Sequence, residues 1–261
     1  LLTNSGADIW VVQKDTQGPY AESSSIRDDL YRGLLGMPGV AQAANVTYLT
    51  MQVRHGARES RSMVVGFEPG QPGEPGYLVA GRRLLRGHFE AIADVKTGFK
   101  LGERIRIRRH EYEVVGLTRR MVSSGGDPMV FIPLKDAQEA QFLKDNDAIL
   151  NDRARTAANP ALNRPGVPGL LEAIQASQAA NHNVNTVLVQ VQPGRDAKAM
   201  AESVAEPIRR WKHLEAYTRA QMEEILIAKL IATSAKQIGM FLVILAIVSA
   251  AIVAFIIYTM T

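Results

Sequence analysis

The densest chemistry in the chain is RIRIRRHEYE, residues 104–113. On a strand, alternation with isoleucine puts Arg104, Arg106 and Arg108 on one face, where they could meet phosphates or acidic lipid. Glu111 and Glu113 follow across a turn near Arg109–His110, where they can pair with those arginines. No aromatic platform interleaves with the basic residues, as a single-stranded nucleic-acid surface would require. The run therefore reads as a self-compensated, solvated strand face.

Other reactive residue types are scattered. His55, His88, His110, His182 and His213 stand alone, without the spacing of a metal site. The triple serine Ser23–Ser25 has no elbow motif or local base, so helix capping explains it better than nucleophilic catalysis. Asp28–Asp29 and Glu223–Glu224 read as helix-surface carboxylates. No phosphate-cradling loop, dinucleotide fingerprint, H-E-x-x-H or G-x-S-x-G occurs. No catalytic, cofactor or metal residue is assigned, and the chain is read as not an enzyme.

Composition agrees with that reading. Among 261 residues, 30 Lys+Arg against 26 Asp+Glu leave a net charge of only +4, too mild and diffuse for a nucleic-acid partner. There is no cysteine, which excludes disulfides and thiol ligands.

The elements that must position these residues are legible in pieces. DIWVVQ (8–13) reads as a strand. The next segment suggests a helix with Ser25 as N-cap, Asp28 in its first turn and an apolar stripe of Ile26, Leu30 and Leu34. Gly36, Pro38 and Gly39 end it. Strands are expected at 44–53 and 61–67, joined by a polar turn, Arg54–Ser60. EPGQPGEPG (68–76) is a boundary, since neither regular element continues through it. Beyond it come a hairpin over 102–117, with Ile105 and Ile107 facing one side and Tyr112 and Val114 facing that same side across the turn, and a strand over 129–134. Helices are expected over 135–158 and Leu170–Ala180, broken by NPALNRPGVPG (159–169). The strand TVLVQV (186–191) precedes a helix over 196–211, which Pro207 should kink or end. The chain is expected to cross between two subdomains twice, near 67–76 and 181–186.

From Arg219 to Tyr258 there is no proline and only Gly239, so one continuous helix is predicted. Ile225, Leu226, Leu230 and Ile231 give its first half an apolar side, with Glu223, Glu224 and Lys229 on the wetter side. From Gln237 to Thr261 it carries no charge, and Ile238–Thr261 covers about 36 Å, enough to cross a bilayer core of about 30 Å. Ala246, Ala250 and Ala254 recur every four residues and could line a helix-packing face, or serve as apolar filler. Leu1–Leu2 read as the end of an earlier membrane helix, and the chain as an internal fragment.

Taken in order, GADIWVVQ, SSIRDDLYRGLLGMPGVAQA, MVVGFEPG, LVAGRRL, KLGERIRIRRHEYEVVGL and FIPLKDAQ resemble the extracytoplasmic domain of MacB/FtsX-like ABC transporter permeases. This family includes the MacB macrolide and toxin exporters, the DevC-type exporters and the LolC/LolE lipoprotein-releasing permeases. The resemblance implies an α+β, bipartite domain followed by a long stalk and transmembrane helix. Residues 3–67 and 186–220 would form a porter-like βαβ subdomain, and 68–185 an inserted β-rich one. The stalk would be 219–237 and the span 238–261. It places about 3–230 outside the bacterial cytoplasmic membrane.

The implied partners are an ABC ATPase subunit or domain, a second permease copy or paralogue, and the bilayer. A periplasmic adaptor and outer-membrane channel join them where the exporter is tripartite. The chain itself would bind no cofactor, ATP being held by the ATPase. Its function would be mechanotransmission, moving outer domains to export or release a lipid-like, lipoprotein or hydrophobic cargo. Two alternatives stay open: a single-pass anchored binding or sensor domain, and a membrane-tethered enzyme.

Overall fold

The structure is a computed structural model that describes residues 2–22, 24–141, 154–159, 171, 182–194 and 196–260. Its strands are β1 (Ile9–Gln13), β2 (Ile26–Arg27), β3 (Val40–His55), β4 (Arg58–Phe67), β5 (Ala80–Gly81), β6 (Glu90–Asp94), β7 (Arg104–Ile107), β8 (His110–Thr118), β9 (Met129–Pro133), β10 (Asn183–Val184), β11 (Thr186–Val191) and β12 (Leu214–Thr218). Its helices are α1 (Leu30–Leu35), α2 (Leu134–Gln141), α3 (Ala197–Arg209) and α4 (Arg219–Met260). The fold is mixed α+β, with one large sheet and one long helix leaving it.

Among the described residues, that sheet has ten strands in the order β12-β1-β11-β3-β4-β9-β6-β8-β5, with β7 pairing both β3 and β8. Its pairs are antiparallel except β4–β9 and β6–β8. The 16-residue β3 is shared: Val40–Val46 pairs with β11, and Thr47–His55 with β4. The returning strand β11 therefore lies between β1 and the first half of β3.

Both faces of the sheet are covered. On β1, Ile9 and Val11 face a core made with Leu34 of α1 and Ala201, Val204, Ala205 and Ile208 of α3. These α3 positions recur at three- and four-residue steps, the stripe a helix needs to seat on a sheet. Trp10, on the opposite face of β1, packs with Leu188, Phe67 and Phe131. A third cluster under the far half of the sheet contains Val53, Ile105, Ile107, Tyr112 and Val130. There α2 lies so close to β4 that a Cβ on Gly66 would stand 2.1 Å from the Ala137 Cβ. Only glycine permits that approach.

Several expectations shift. Ile26–Arg27 is a strand paired with Asn183–Val184, and α1 starts four residues after Ile26, at Leu30. Ser25 is therefore no N-cap; that position belongs to Asp29, whose side chain makes no capping bond. Asp28 instead turns its carboxylate toward Lys135 and His182, each 3.5 Å away. The Arg54–Ser60 turn shrinks, because β3 and β4 stay paired as far as His55 and Arg58. Pro207 lies inside α3, two residues before its end at Arg209, where its missing N–H removes only one helix bond. Residues 154–158 are also helical, whereas 142–153 and nearly all of 170–180 lie outside the described residues.

One buried carboxylate organises the outer loop of residues 82–90. Glu90 is 1% exposed and takes Arg82 Nη2 at 2.6 Å, with the N–H groups of Leu85 and Arg86 at 2.9 and 3.1 Å. The Arg82 guanidinium first, and those two N–H groups after it, outweigh desolvation and hold the carboxyl down at about 2. Such a depressed carboxylate contributes stability above its unfolded value of about 4.5, and that contribution disappears as pH falls toward 2. Glu90→Gln should therefore lower unfolding free energy at pH 7 by on the order of 2 kcal/mol. The loss of stability between pH 4.5 and 2 should flatten in the variant, as read by urea unfolding across pH. An unchanged acid limb would show that this carboxylate does not organise the loop.

Candidate functional site: the joint between sheet and long helix

The basic run keeps its predicted hairpin, but the turn falls one residue earlier, at Arg108–Arg109, so Arg108, with φ +51°, leaves the strand face and only Arg104 and Arg106 share it. β7 and β8 pair with Arg104 opposite Glu113 and Arg106 opposite Glu111. Ile105, Ile107, Tyr112 and Val114 are buried beneath them. The histidines do not converge. His88 Nδ1 meets Asp136 Oδ1 at 2.5 Å, His110 Nε2 meets Glu139 Oε1 at 3.2 Å, and His55 Nδ1 meets the Arg104 carbonyl at 2.7 Å. Among the described residues no group of three or more His, Cys, Asp or Glu could hold a metal. Ser24 receives the Gln13 N–H at 2.8 Å and Ser25 N–H donates to Gln13 Oε1, a local structural role. Among the described residues, no nucleophile and base are brought together.

What the structure does build is a stiff exit. β12 ends at Thr218 and α4 begins at Arg219, with no residue between them. A helix leaving a sheet edge without a linker needs its first turn fixed by side chains. Gln221 supplies one part, its Oε1 accepting the Thr218 N–H at 3.0 Å, as a third-position residue does in a capping box. The same oxygen accepts Arg209 Nη2 at 2.8 Å, while Arg209 Nε donates to the Ala216 carbonyl at 2.9 Å. Arg209 also ion-pairs with Glu202, and that carboxylate first, with Glu215 and Glu206 after it, raises its pKa above the ordinary arginine value. One guanidinium thus ties together α3, β12 and α4.

Asp8 makes the second clamp. Its Oδ2 accepts the Val191 N–H at 3.0 Å, at the end of β11, and its Oδ1 accepts Arg219 Nη2 at 3.1 Å. Arg219 also donates to the Ala7 carbonyl at 2.7 Å, and its backbone N–H to the Asp8 carbonyl at 3.0 Å. The start of the domain, its returning strand and its outgoing helix therefore meet at one point.

Above the joint, α4 leans on the loop after β1. Met222 is fully buried with Trp10 and Tyr20, and Leu226 packs behind it. Lys229 donates to the Ala21 carbonyl. The packed face is thus Met222, Leu226 and Lys229. Lys229 belongs to it rather than to the wetter side, whereas Glu223 and Glu224 are exposed as expected. Leu230 and Ile231 remain 60% and 63% exposed. Farther on, Ala246 and Ala250 are exposed on the charge-free part of α4, and Ala254 follows on the same backbone, its side chain outside the described ones.

Asp8 was visible only as the first residue of the strand segment DIWVVQ, whereas Gly18, Arg209 and Met222 carried no signal in the sequence. Arg219 was visible only as the first residue of the long helix.

An α+β domain carried on a helix long and apolar enough to cross a membrane is the class that fold and joint define. Residues 2–206 match the MacB-like periplasmic core domain, and the chain belongs to that family. Comparison with solved structures found two similar domains. The periplasmic region of MacB from Actinobacillus actinomycetemcomitans is 10% identical with a TM-score of 0.50, covering 84% of this chain and 93% of that one. The extracellular domain of the noncanonic ABC-type transporter YknZ from Gram-positive bacteria is 14% identical with a TM-score of 0.48, covering 81% and 99%. No curated protein matches the sequence.

The joint yields a mutational test. Gly18 has φ +92°, and a Cβ there would stand 2.7 Å from Met222 Cε. Gly18→Ala should cost about 1–3 kcal/mol from both strain and crowding. Met222→Ala should cost about 2–5 kcal/mol as a buried truncation. Because the crowding disappears with the methionine side chain, the double variant should be more stable than the sum of the two losses predicts. Strict additivity in chemical unfolding would show that the helix does not seat on this loop.

Proposed function

We propose that this chain is part of the permease of an ABC transporter and works as a mechanical transmitter between a cytoplasmic motor and an outer domain. The observation that carries the reading is the linker-free passage from β12 into the 42-residue α4. Such a helix is about 63 Å long, roughly twice the hydrocarbon thickness of a bilayer. In this reading 219–237 is the stalk and 238–261 the span. Residues 3–67 with 186–220 act as the porter-like subdomain, and 68–185 as the inserted one.

ATP is hydrolysed by a partner ATPase, two permeases pair, and the domain lies outside the cytoplasmic membrane. Membership in the MacB-like family supports this arrangement. The cargo is lipid-like, a lipoprotein or another hydrophobic molecule, with an adaptor and outer-membrane channel joining in a tripartite exporter.

A rod transmits force only while its hydrogen-bond ladder is unbroken. A Gly-Pro insertion after Ala232 removes a helix bond and forces a clash, at about 3 kcal/mol or more locally. In the full complex in lipid it should leave ATP hydrolysis largely intact and abolish export. Export at the wild-type ratio to hydrolysis would rule the rod out as the transmitter.

The same reading assigns Ala246, Ala250 and Ala254 to close packing of the span, since residues four apart share one helix face and small side chains let helices approach in lipid. Ala250→Phe should then weaken assembly of the complex at least several-fold in cross-linking or pull-down. Assembly and transport at wild-type levels would reduce these alanines to filler.

A further inference from the structure

Between α4 and the sheet lies a cavity of about 550 Å³, within the size range of ligand pockets. One wall is α4, from Leu226 to Ser234, and the opposite wall is the β3–β4 surface at Leu49 and Met63. The loop at 123–127 and the end of α2 at Gln141 close a third side. Its position is informative. Ser234 lies three residues before Gln237, where the charge-free stretch begins, a distance of about 4.5 Å along the helix. With α4 as the membrane span, the lower edge of the cavity at Ser234 stands at the depth of lipid head groups, a layer that adds about 5–7 Å on each side of the hydrocarbon, and its wall continues outward to Leu226, about 16 Å along the helix from Gln237.

Its lining is amphipathic. Leu49, Met63, Leu226 and Leu230 offer apolar surface, and Asp127 and Lys229 bring opposite charges to the same space. Asp127 Oδ1 is 3.6 Å from Arg61 Nε, and Lys229 donates to the Ala21 carbonyl. Gln141 adds the specific element. Its side-chain carbonyl oxygen is buried and, among the described residues, accepts no hydrogen bond, although the residue lines the cavity. A buried acceptor left without a donor costs about 1–3 kcal/mol. An occupant carrying an N–H or O–H would satisfy it.

We propose that this cleft takes the polar head of a membrane amphiphile bearing hydrogen-bond donors, drawn from the outer leaflet while its acyl chains stay in the bilayer. The apolar wall suits the glycerol and first methylenes, and Gln141 and Asp127 accept from the head group. The inference names the cargo class for the permease reading and rests on α4 being the membrane span.

The test uses the full permease with its ATPase in lipid nanodiscs doped with a phosphatidylethanolamine analogue that carries a diazirine beside the head group. Cross-linked residues are mapped by mass spectrometry. The matching phosphatidylcholine analogue, whose head has no N–H or O–H donor, is the comparison. Label should reach Leu49 and Leu226, at least threefold more from the ethanolamine lipid. Gln141→Leu should erase that preference. Met63→Trp, which fills the cavity, should lower labelling by both lipids, with thermal unfolding reporting that each variant folds.

Equal labelling by the two lipids would overturn the inference, as would label confined to residues after Gln237 or cross-links from the wall to another protein segment. ATP hydrolysis is followed in the same nanodiscs. An unlabelled cleft beside lipid-stimulated hydrolysis sinks the cleft alone, whereas a labelled cleft without any coupled hydrolysis sinks the permease reading and keeps the site.

Discussion

The strand-to-helix passage at Thr218–Arg219 constrains everything around it, because no loop intervenes to absorb a change of direction. Where a loop joins two elements, each can rotate at little cost. Here the direction of α4 is set by β12, and β12 is held by five register positions against β1. β1 is in turn held on its other side by β11. Moving the helix axis therefore means moving three strands, or breaking the Arg209 and Asp8 clamps that tie the first turn to them. The Arg209 clamp is partly shielded, its side chain being 21% exposed, so its charge-assisted bonds are screened less than those of a surface ion pair. The joint behaves as a weld rather than a hinge.

The same logic extends across the sheet through β3. Its first half belongs with β11 and the chain ends, its second half with β4 and the inserted strands. A sixteen-residue strand is far longer than the usual five or six. Asn185 reinforces the crossing point: its Oδ1 accepts the Tyr48 N–H at 2.7 Å, and its Nδ2 donates to the Ser24 carbonyl at 2.6 Å. A tilt imposed at the helix thus reaches the outer part of the domain through backbone hydrogen bonds. Packed sheets deform little along such ladders, since close-packed interiors transmit strain.

Elements with strong periodicity were legible in the sequence. β1, the β7–β8 hairpin, β11, α3 and α4 follow directly from alternation or from three- and four-residue apolar spacing. The misses share a physical cause. β12, LEAYT, and β6, EAIAD, are short and carry alanine where a strand signal needs branched or aromatic residues, so partners rather than propensity make them strands. Ile26–Arg27 was read as helix because its apolar residue falls in step with Leu30 and Leu34, yet β10, distant in sequence, captures it first. Lys229 was read as solvent-facing by its charge. Its long apolar stem lets it lie on the packed side while its ammonium reaches the Ala21 carbonyl. The joint itself was illegible, since Asp8, Arg209 and Gln221 come together only once strands from both ends of the chain are adjacent.

The exposed part of the stalk bears on what the rod can be. Ile227, Leu230 and Ile231 are 61%, 60% and 63% exposed, before the charge-free stretch begins. Among the described residues, Arg219, Gln221, Met222, Leu226 and Lys229 seat the helix, all within its first eleven residues. Beyond them a lone helix in water frays, because propagation adds little per residue and tertiary packing supplies most of a helix's stability. Leaving three large aliphatic side chains in water forgoes about 1.5–3 kcal/mol each relative to burial. In the proposed reading, a stiff transmitter requires an apolar neighbour along 227–236, and its stiffness would belong to the assembly rather than to this chain alone. The weld at Arg219 fixes the direction in which the helix leaves the sheet, and an apolar neighbour would hold it straight beyond that point.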